Sequence, residues 1–402
     1  MKHIHLIAGL IALLALAMGL VLADGNAKSV ESRSIHALAP RDFIQKHMGS
    51  ALQREAFRAV DLLPLYGSSE LAIHDPYHAN TLFHNYPTGF TVFTVGMDAT
   101  EPLNMLQKLA GAGSDLRGKR VAISLSPQFL LAPAENEADY RHNFSLLQAY
   151  ELIFSADLPW NLKQAVAQRM LDYPKTLGNQ QVLSWALELC ANGSLTSEAL
   201  YNFLWPVGKL QMLTLQLQDD WETILFIQDE QNLREPVRSP SVLDWPALQA
   251  RAEQEYRTMA NNNPFGIEND RWPALQEHVL AAKGTMDDQQ FLHALETSTG
   301  WRDLDLMLQT LKELGARPLI LCMPLDGAYY DWRGVSPAVR PAFYAKLETV
   351  VGTYGYPLVD FAGHDQDLYF LMSPESHLSS KGWTFYDEAL NAFYHGQLDS
   401  TQ

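Results

Sequence analysis

LPLYGSSEL, residues Leu63–Leu71, is the stretch whose reading decides the fold. Its apolar half, Leu62, Leu63, Leu65 and Tyr66, fits a buried strand of a parallel sheet. The run stops at Gly67-Ser68-Ser69, followed by Glu70 and Leu71. Open α/β sheets place their ligands at such turns, at the carboxyl ends of their strands. A serine held there has an exposed hydroxyl beside the backbone N–H groups of the turn, as a nucleophile needs. A serine capping the next helix is the plainer account of the same residues.

Working outward, the pattern repeats. Gly89–Val95 (GFTVFTV) reads as a second strand, running into Gly96-Met97-Asp98. Glu101–Ala112 is amphipathic, and Val121–Leu125 is a third strand closed by Ser126-Pro127-Gln128. Upstream, Arg41–Val60 has helical spacing. From Glu135 to about Met259 the spacing of Trp and Leu is helical, over Asn161–Tyr173, Gln180–Ala191 and Ala247–Met259 among others. A helical insertion over about 135–295 is expected. WPALQ occurs twice, at Trp245–Gln249 and Trp272–Gln276, with proline suited to a helix start. The α/β pattern then returns: a helix Asp303–Leu314 ended by Gly315, a strand Arg317–Met323, a helix Pro337–Tyr354 and a last strand Tyr356–Phe361. The tail carries Ser376-His377-Leu378-Ser379-Ser380 before an amphipathic helix to about Tyr394. The expected architecture is α/β, one doubly wound, three-layer parallel sheet with a helical insertion, over residues 41–402.

The amino-terminal end reads differently. Ile4–Ala23 is 20 residues without a charge, long enough to cross a bilayer as a helix, with Lys2 on one side and Asp24 on the other. The positive-inside tendency exports the chain beyond Ala23. Residues 1–23 are therefore expected to be a single-pass anchor in the cytoplasmic membrane, with 24–40 a polar linker and the remainder extracytoplasmic. Val21-Leu22-Ala23 keeps a cleaved signal peptide as the rival. The formal charge of −17 leaves no basic stripe for phosphate contacts, so no nucleic-acid partner is expected. Cys190 and Cys322 form no CxxC; free thiols and one disulfide are both open. Pro76 separates His74 from His78, and no zinc pattern is completed with His84, so neither metal nor cofactor is expected.

Turns at the carboxyl ends of several strands converge on one edge of such a sheet, so a histidine after the last strand can reach a serine after the first. Ser69 with His377 is the strongest pairing, imidazole being the base that makes a hydroxyl a useful nucleophile. Serine early and histidine late is the order of the SGNH hydrolases. More narrowly, YGSSEL, GFTVFTVG, VAISLSPQF, RPLILCMPLDGAYYDWRG and HLSSKGW, in this order, resemble the DltD family. The likeness covers about Leu62–Gln128 and Leu295–Tyr394.

That resemblance implies an SGNH-like fold, action in D-alanylation of teichoic acids, and acyl chemistry on a D-alanyl ester. The implied outcome is transfer to a cell-envelope polymer or hydrolysis of a carrier thioester. Implied partners are a D-alanyl carrier or other acyl donor, the polymer acceptor and a membrane acyltransferase of the MBOAT type. Carried over by position, Ser69 is the nucleophile and His377 the base. Gly96, Gln128 and the Ser69 turn hold the oxyanion. Glu70 and Asp98 are candidates to meet a substrate ammonium group. The family's acid three residues before the histidine is here Pro374, which leaves Glu375 as a displaced substitute and Asp360 as a strand-end residue. O-acylation or deacylation of an exopolysaccharide, or a non-catalytic scaffold docking a membrane MBOAT acyltransferase, are the alternative functions.

Overall fold

The computed structural model describes residues 24–132, 137–230, 240–374 and 376–398, with residue 19. The expected anchor, Ile4–Ala23, lies outside these residues except for Gly19, and so does Glu375. Among the described residues no helix is long and apolar enough to cross a membrane.

Five parallel strands form the central sheet: β1 (Leu62–Tyr66), β2 (Thr91–Val95), β3 (Arg120–Leu125), β4 (Arg317–Cys322) and β5 (Leu358–Val359), in the order β2-β1-β3-β4-β5. The fold is α/β, as the repeating strand–turn–helix pattern predicts. β1 pairs with β2 along its whole length but with β3 only at Leu65 and Tyr66. β4 likewise pairs fully with β3 but with β5 only at Ile320 and Leu321. Both shortened ladders begin past a proline, Pro64 and Pro318, which has no N–H to give.

Alternate residues of each strand enter opposite layers. Leu62, Tyr66, Val121, Ile123 and Ile320 join one core with the helices Ala51–Arg58, Pro102–Ala112 and Gly300–Glu313. Leu63, Leu65, Ala122, Leu319 and Leu321 join the other with Trp383, Tyr386 and Leu390 of the helix Ser380–Tyr394. Burial on both faces explains why the strands read as unbroken apolar runs rather than alternating ones. Cys190 and Cys322 are buried and free.

Between β3 and β4 the chain is helical, including Trp160–Leu171, Gln181–Asn192, a 35-residue helix Leu195–Asp229, Trp245–Met259 and Trp272–Ala281. Each copy of WPALQ opens a helix with proline in its first turn.

Three expectations need correction. The supposed linker is helical over residues 24–38, because Ala27, Ile35 and Leu38 recur at helical spacing and are buried. The helix expected over Arg41–Val60 is broken at Gly49 and Ser50, into Ile44–Met48 and Ala51–Arg58. There the N–H groups of Ser50 and Ala51 bind the Asp219 carboxylate instead of continuing a helix (2.8 and 2.9 Å). The last strand is two residues long, and the tail adds a hairpin unforeseen in the sequence, β6 (Leu371–Ser373) with β7 (Ser376–Leu378).

Candidate active site

In the order β2-β1-β3-β4-β5 the chain leaves β1 in one direction and β3 in the other, so a crevice opens at the carboxyl ends between them. The Gly67-Ser68-Ser69 turn stands there. Gly67 extends the ladder by donating to the Val95 carbonyl (3.1 Å), and Ser69 begins a short 3-10 turn, Ser69–Ala72.

The two serines have different fates. Ser68 is buried; its Oγ accepts the Thr100 N–H (3.0 Å), and its own N–H donates to Glu70 Oε1 (3.0 Å). Ser69 Oγ lies 2.8 Å from His377 Nε2, a pair 308 residues apart in sequence. Glu70, expected to meet substrate, is instead folded beneath the turn and buried. That burial raises its pKa, against the lowering pull of the Ser68 N–H that it accepts.

His377 sits on β7, and the hairpin determines which way its ring faces. Its φ is +67°, a left-handed conformation uncommon outside glycine, which turns the ring toward β1. Behind the ring, Nδ1 is 2.9 Å from Ser373 Oγ and 3.3 Å from Ser376 Oγ. Ser373 Oγ donates its single proton to the Ser376 carbonyl (2.7 Å), so toward His377 it accepts. Nδ1 therefore carries the proton, and the Nε2 lone pair faces the Ser69 hydroxyl. Burial lowers the His377 pKa to about 4, with Arg271 pushing the same way and Asp98 opposing both. Asp98 is exposed. Among the described residues a hydroxyl, not a carboxylate, orients the His377 ring. Asp360 caps the turn after β5, accepting from the Ala362 N–H (3.0 Å).

The oxyanion frame is less complete than expected. Gly96 is pressed against the serine turn: a Cβ there would come within 2.7 Å of the Gly67 carbonyl oxygen and 2.8 Å of that of Ser68. Its N–H, however, donates to His47 Nδ1 (3.2 Å), and His47 Nε2 is in turn 2.5 Å from Asp42 Oδ1. Burial lowers the pKa of His47 and favours this neutral, accepting ring, while Asp42 pulls the other way. Gln128 stands in the helix Pro127–Leu131 and lines a cavity of about 640 Å³ with Thr285, His293, Tyr330 and Arg333. Among the described residues it has no hydrogen bond to the Ser69 turn.

Four residues of this assembly escaped the sequence reading. Ser373 and His47 carried no motif. Asn143, from the helical stretch, accepts from Thr100 Oγ1 (2.7 Å) and donates to the Asp98 carbonyl (2.8 Å), pinning the loop after β2. Arg271 stands among the groups that bias His377. His78, weighed as a metal ligand, is buried and caps the helix Ala79–Asn85 through Nδ1.

A profile of the DltD protein family matches residues 44–395. The chain is 29% identical over 363 residues to Protein DltD of Bacillus subtilis (strain 168), covering 90% of this chain and 88% of that protein. It is 23% identical over 351 residues to Protein DltD of Staphylococcus aureus (strain NCTC 8325 / PS 47), covering 87% and 85%. With the match running from the helices ahead of β1 to the end of the last helix, the chain belongs to the DltD family.

Proposed function

We propose that this chain is a serine acyltransferase or esterase of SGNH type, held at the outer face of the cytoplasmic membrane by Ile4–Ala23. It handles D-alanyl groups of a cell-envelope polymer, as in teichoic-acid D-alanylation. The observation that carries the reading is the 2.8 Å approach of His377 Nε2 to Ser69 Oγ, with Nδ1 backed by Ser373.

In this reading Nε2 takes the Ser69 proton as Oγ attacks the acyl carbonyl. The tetrahedral adduct collapses, the departing thiolate or alkoxide takes the proton from Nε2, and D-alanyl remains on Ser69. A polymer hydroxyl, or water, then gives its proton to Nε2 and attacks, releasing Ser69. The Ser69 N–H is the proposed oxyanion donor, and Gly96 N–H joins it only on leaving His47. In this reading the exposed Asp98, whose charge reaches His377, meets the substrate ammonium group. A D-alanyl carrier supplies the acyl group and an MBOAT-type acyltransferase is the membrane partner.

A fluorophosphonate probe tests the reading. Labelling is expected in the full chain, lost in Ser69→Ala and kept in Ser68→Ala, since the Ser68 hydroxyl is tied to Thr100. Folded protein that does not label overturns catalysis and leaves the docking scaffold.

A further inference from the structure

The 35-residue helix Leu195–Asp229 spans roughly 50 Å at 1.5 Å per residue and buries one side only. Ser197, Tyr201, Gly208, Met212, Thr223 and Ile227 face inward at helical spacing. Gly208 lets the helix lie flush on the Phe154 ring, which a Cβ would strike. On the opposite side Leu200, Phe203, Val207, Leu210, Leu213 and Trp221 are exposed, Phe203 to 86%. Helix surfaces facing water carry polar residues, and contiguous apolar patches on soluble chains mark contact sites. From Ala199 to Gln218 this helix has no carboxylate and one charged side chain, the cation Lys209, in a chain of net charge −17. Lys209 Nζ stands 5.5 Å from the centre of the Trp205 ring.

A second observation says what covers this face. Asp24, the first residue after the uncharged run Ile4–Ala23, lines a cavity of about 510 Å³ together with Leu213, Leu217 and Asp220. Asp24, next in the chain after the apolar run, thus stands beside the Leu213–Asp220 part of the long helix. We infer that the outer face of Leu195–Asp229 lies in the lipid interface, as an amphipathic helix parallel to the bilayer beside the point where the anchor emerges. The carboxylate-free stretch Ala199–Gln218 can approach an anionic phospholipid surface more closely than the flanking Glu198, Glu222 and Asp229, and the exposed Trp221 suits the headgroup level. The inference rests on the anchor reading of Ile4–Ala23. It makes the helical insertion a second membrane contact, which holds the Ser69 crevice in a fixed attitude to the bilayer.

The test uses the full chain in vesicles of phosphatidylcholine and phosphatidylglycerol. Cys190 and Cys322 are buried, so single cysteines introduced as Phe203→Cys, Leu210→Cys and, for control, the exposed Glu348→Cys accept a bimane label selectively. Brominated lipids are expected to quench the label at 203 and 210 severalfold more than at 348. Protein that floats with the vesicles while 203 and 210 stay unquenched overturns the inference and leaves the anchor standing. Disulfide crosslinking of 203 to 203 in that unquenched protein assigns the face to a second copy and overturns it too. Protein that fails to float overturns anchor and inference together.

Discussion

Ser373 stands where a carboxylate would ordinarily back a catalytic histidine, and the substitution has a measurable sign. A hydroxyl orients the ring and selects its tautomer, but adds no negative charge, so burial outweighs the opposing pull of Asp98 and lowers the His377 pKa to about 4. The base stays neutral well into acid, and the acid limb of kcat/KM for ester turnover is expected near pH 4 rather than near the ordinary histidine value of 6.5. Ser373→Asp places a charge behind Nδ1 and moves that limb to higher pH, while Ser373→Ala loses the hold on the ring. Removing one such hydrogen bond costs about 1–3 kcal/mol, or about 5–150-fold in kcat. A limb unmoved by Ser373→Asp would show that this hydroxyl does not govern the base. Gly96→Ala tests the neighbouring contact. Its Cβ meets two backbone carbonyls of the serine turn, which cannot yield without moving Ser69, so kcat should fall by about 10²-fold with the fold intact by circular dichroism.

At the scale of elements, the helix over residues 24–38 buries an acid, Glu31, close to the acids Asp219 and Asp220 of the long helix. Glu31 is almost fully buried, and its pKa is raised to about 8 by burial first, then by Asp220, Glu55 and Asp219, against a smaller pull from Arg58. Folding thus holds a proton that the unfolded chain has released. This contribution is complete below pH 4.5 and is lost as pH rises to about 8. Glu31→Gln keeps the shape without the proton, and its Tm should be flatter across that window and higher than wild type at its alkaline end. Parallel Tm–pH curves for the two proteins would rule the contribution out. Elements whose signals are local were legible beforehand: the tail serines Ser379 and Ser380 both suit a helix start and the fold uses Ser379 as the cap, and Gly315, at φ +70°, ends Gly300–Glu313. The break at Gly49-Ser50 was not legible, because Asp219, 169 residues from Ser50, makes it.

Across the whole molecule the helical insertion is tied to the sheet layers by charge as well as packing. Arg169 of Trp160–Leu171 binds Asp303 of Gly300–Glu313 through two bonds, of 2.8 and 2.9 Å, both side chains being buried. Arg169→Met strands the Asp303 carboxylate and should cost about 3–5 kcal/mol in urea unfolding. Adding Asp303→Leu should recover most of that loss, since the pair's value lies mainly in not leaving one charge alone. A single variant as stable as wild type would show that the insertion is held without it.

By itself the sequence determined the parallel α/β sheet, the helical stretch within it, and the serine and histidine that come together. These arise from apolar runs, turn residues and caps, whose causes lie within a few residues of their effects. Only the tertiary structure decided that Ser373 backs His377, that His47 takes the Gly96 N–H, that Glu70 turns inward, and that the long helix has an uncovered face. Each of those outcomes depends on which groups the fold brings within hydrogen-bond reach or leaves in water, and sequence spacing does not carry that distance.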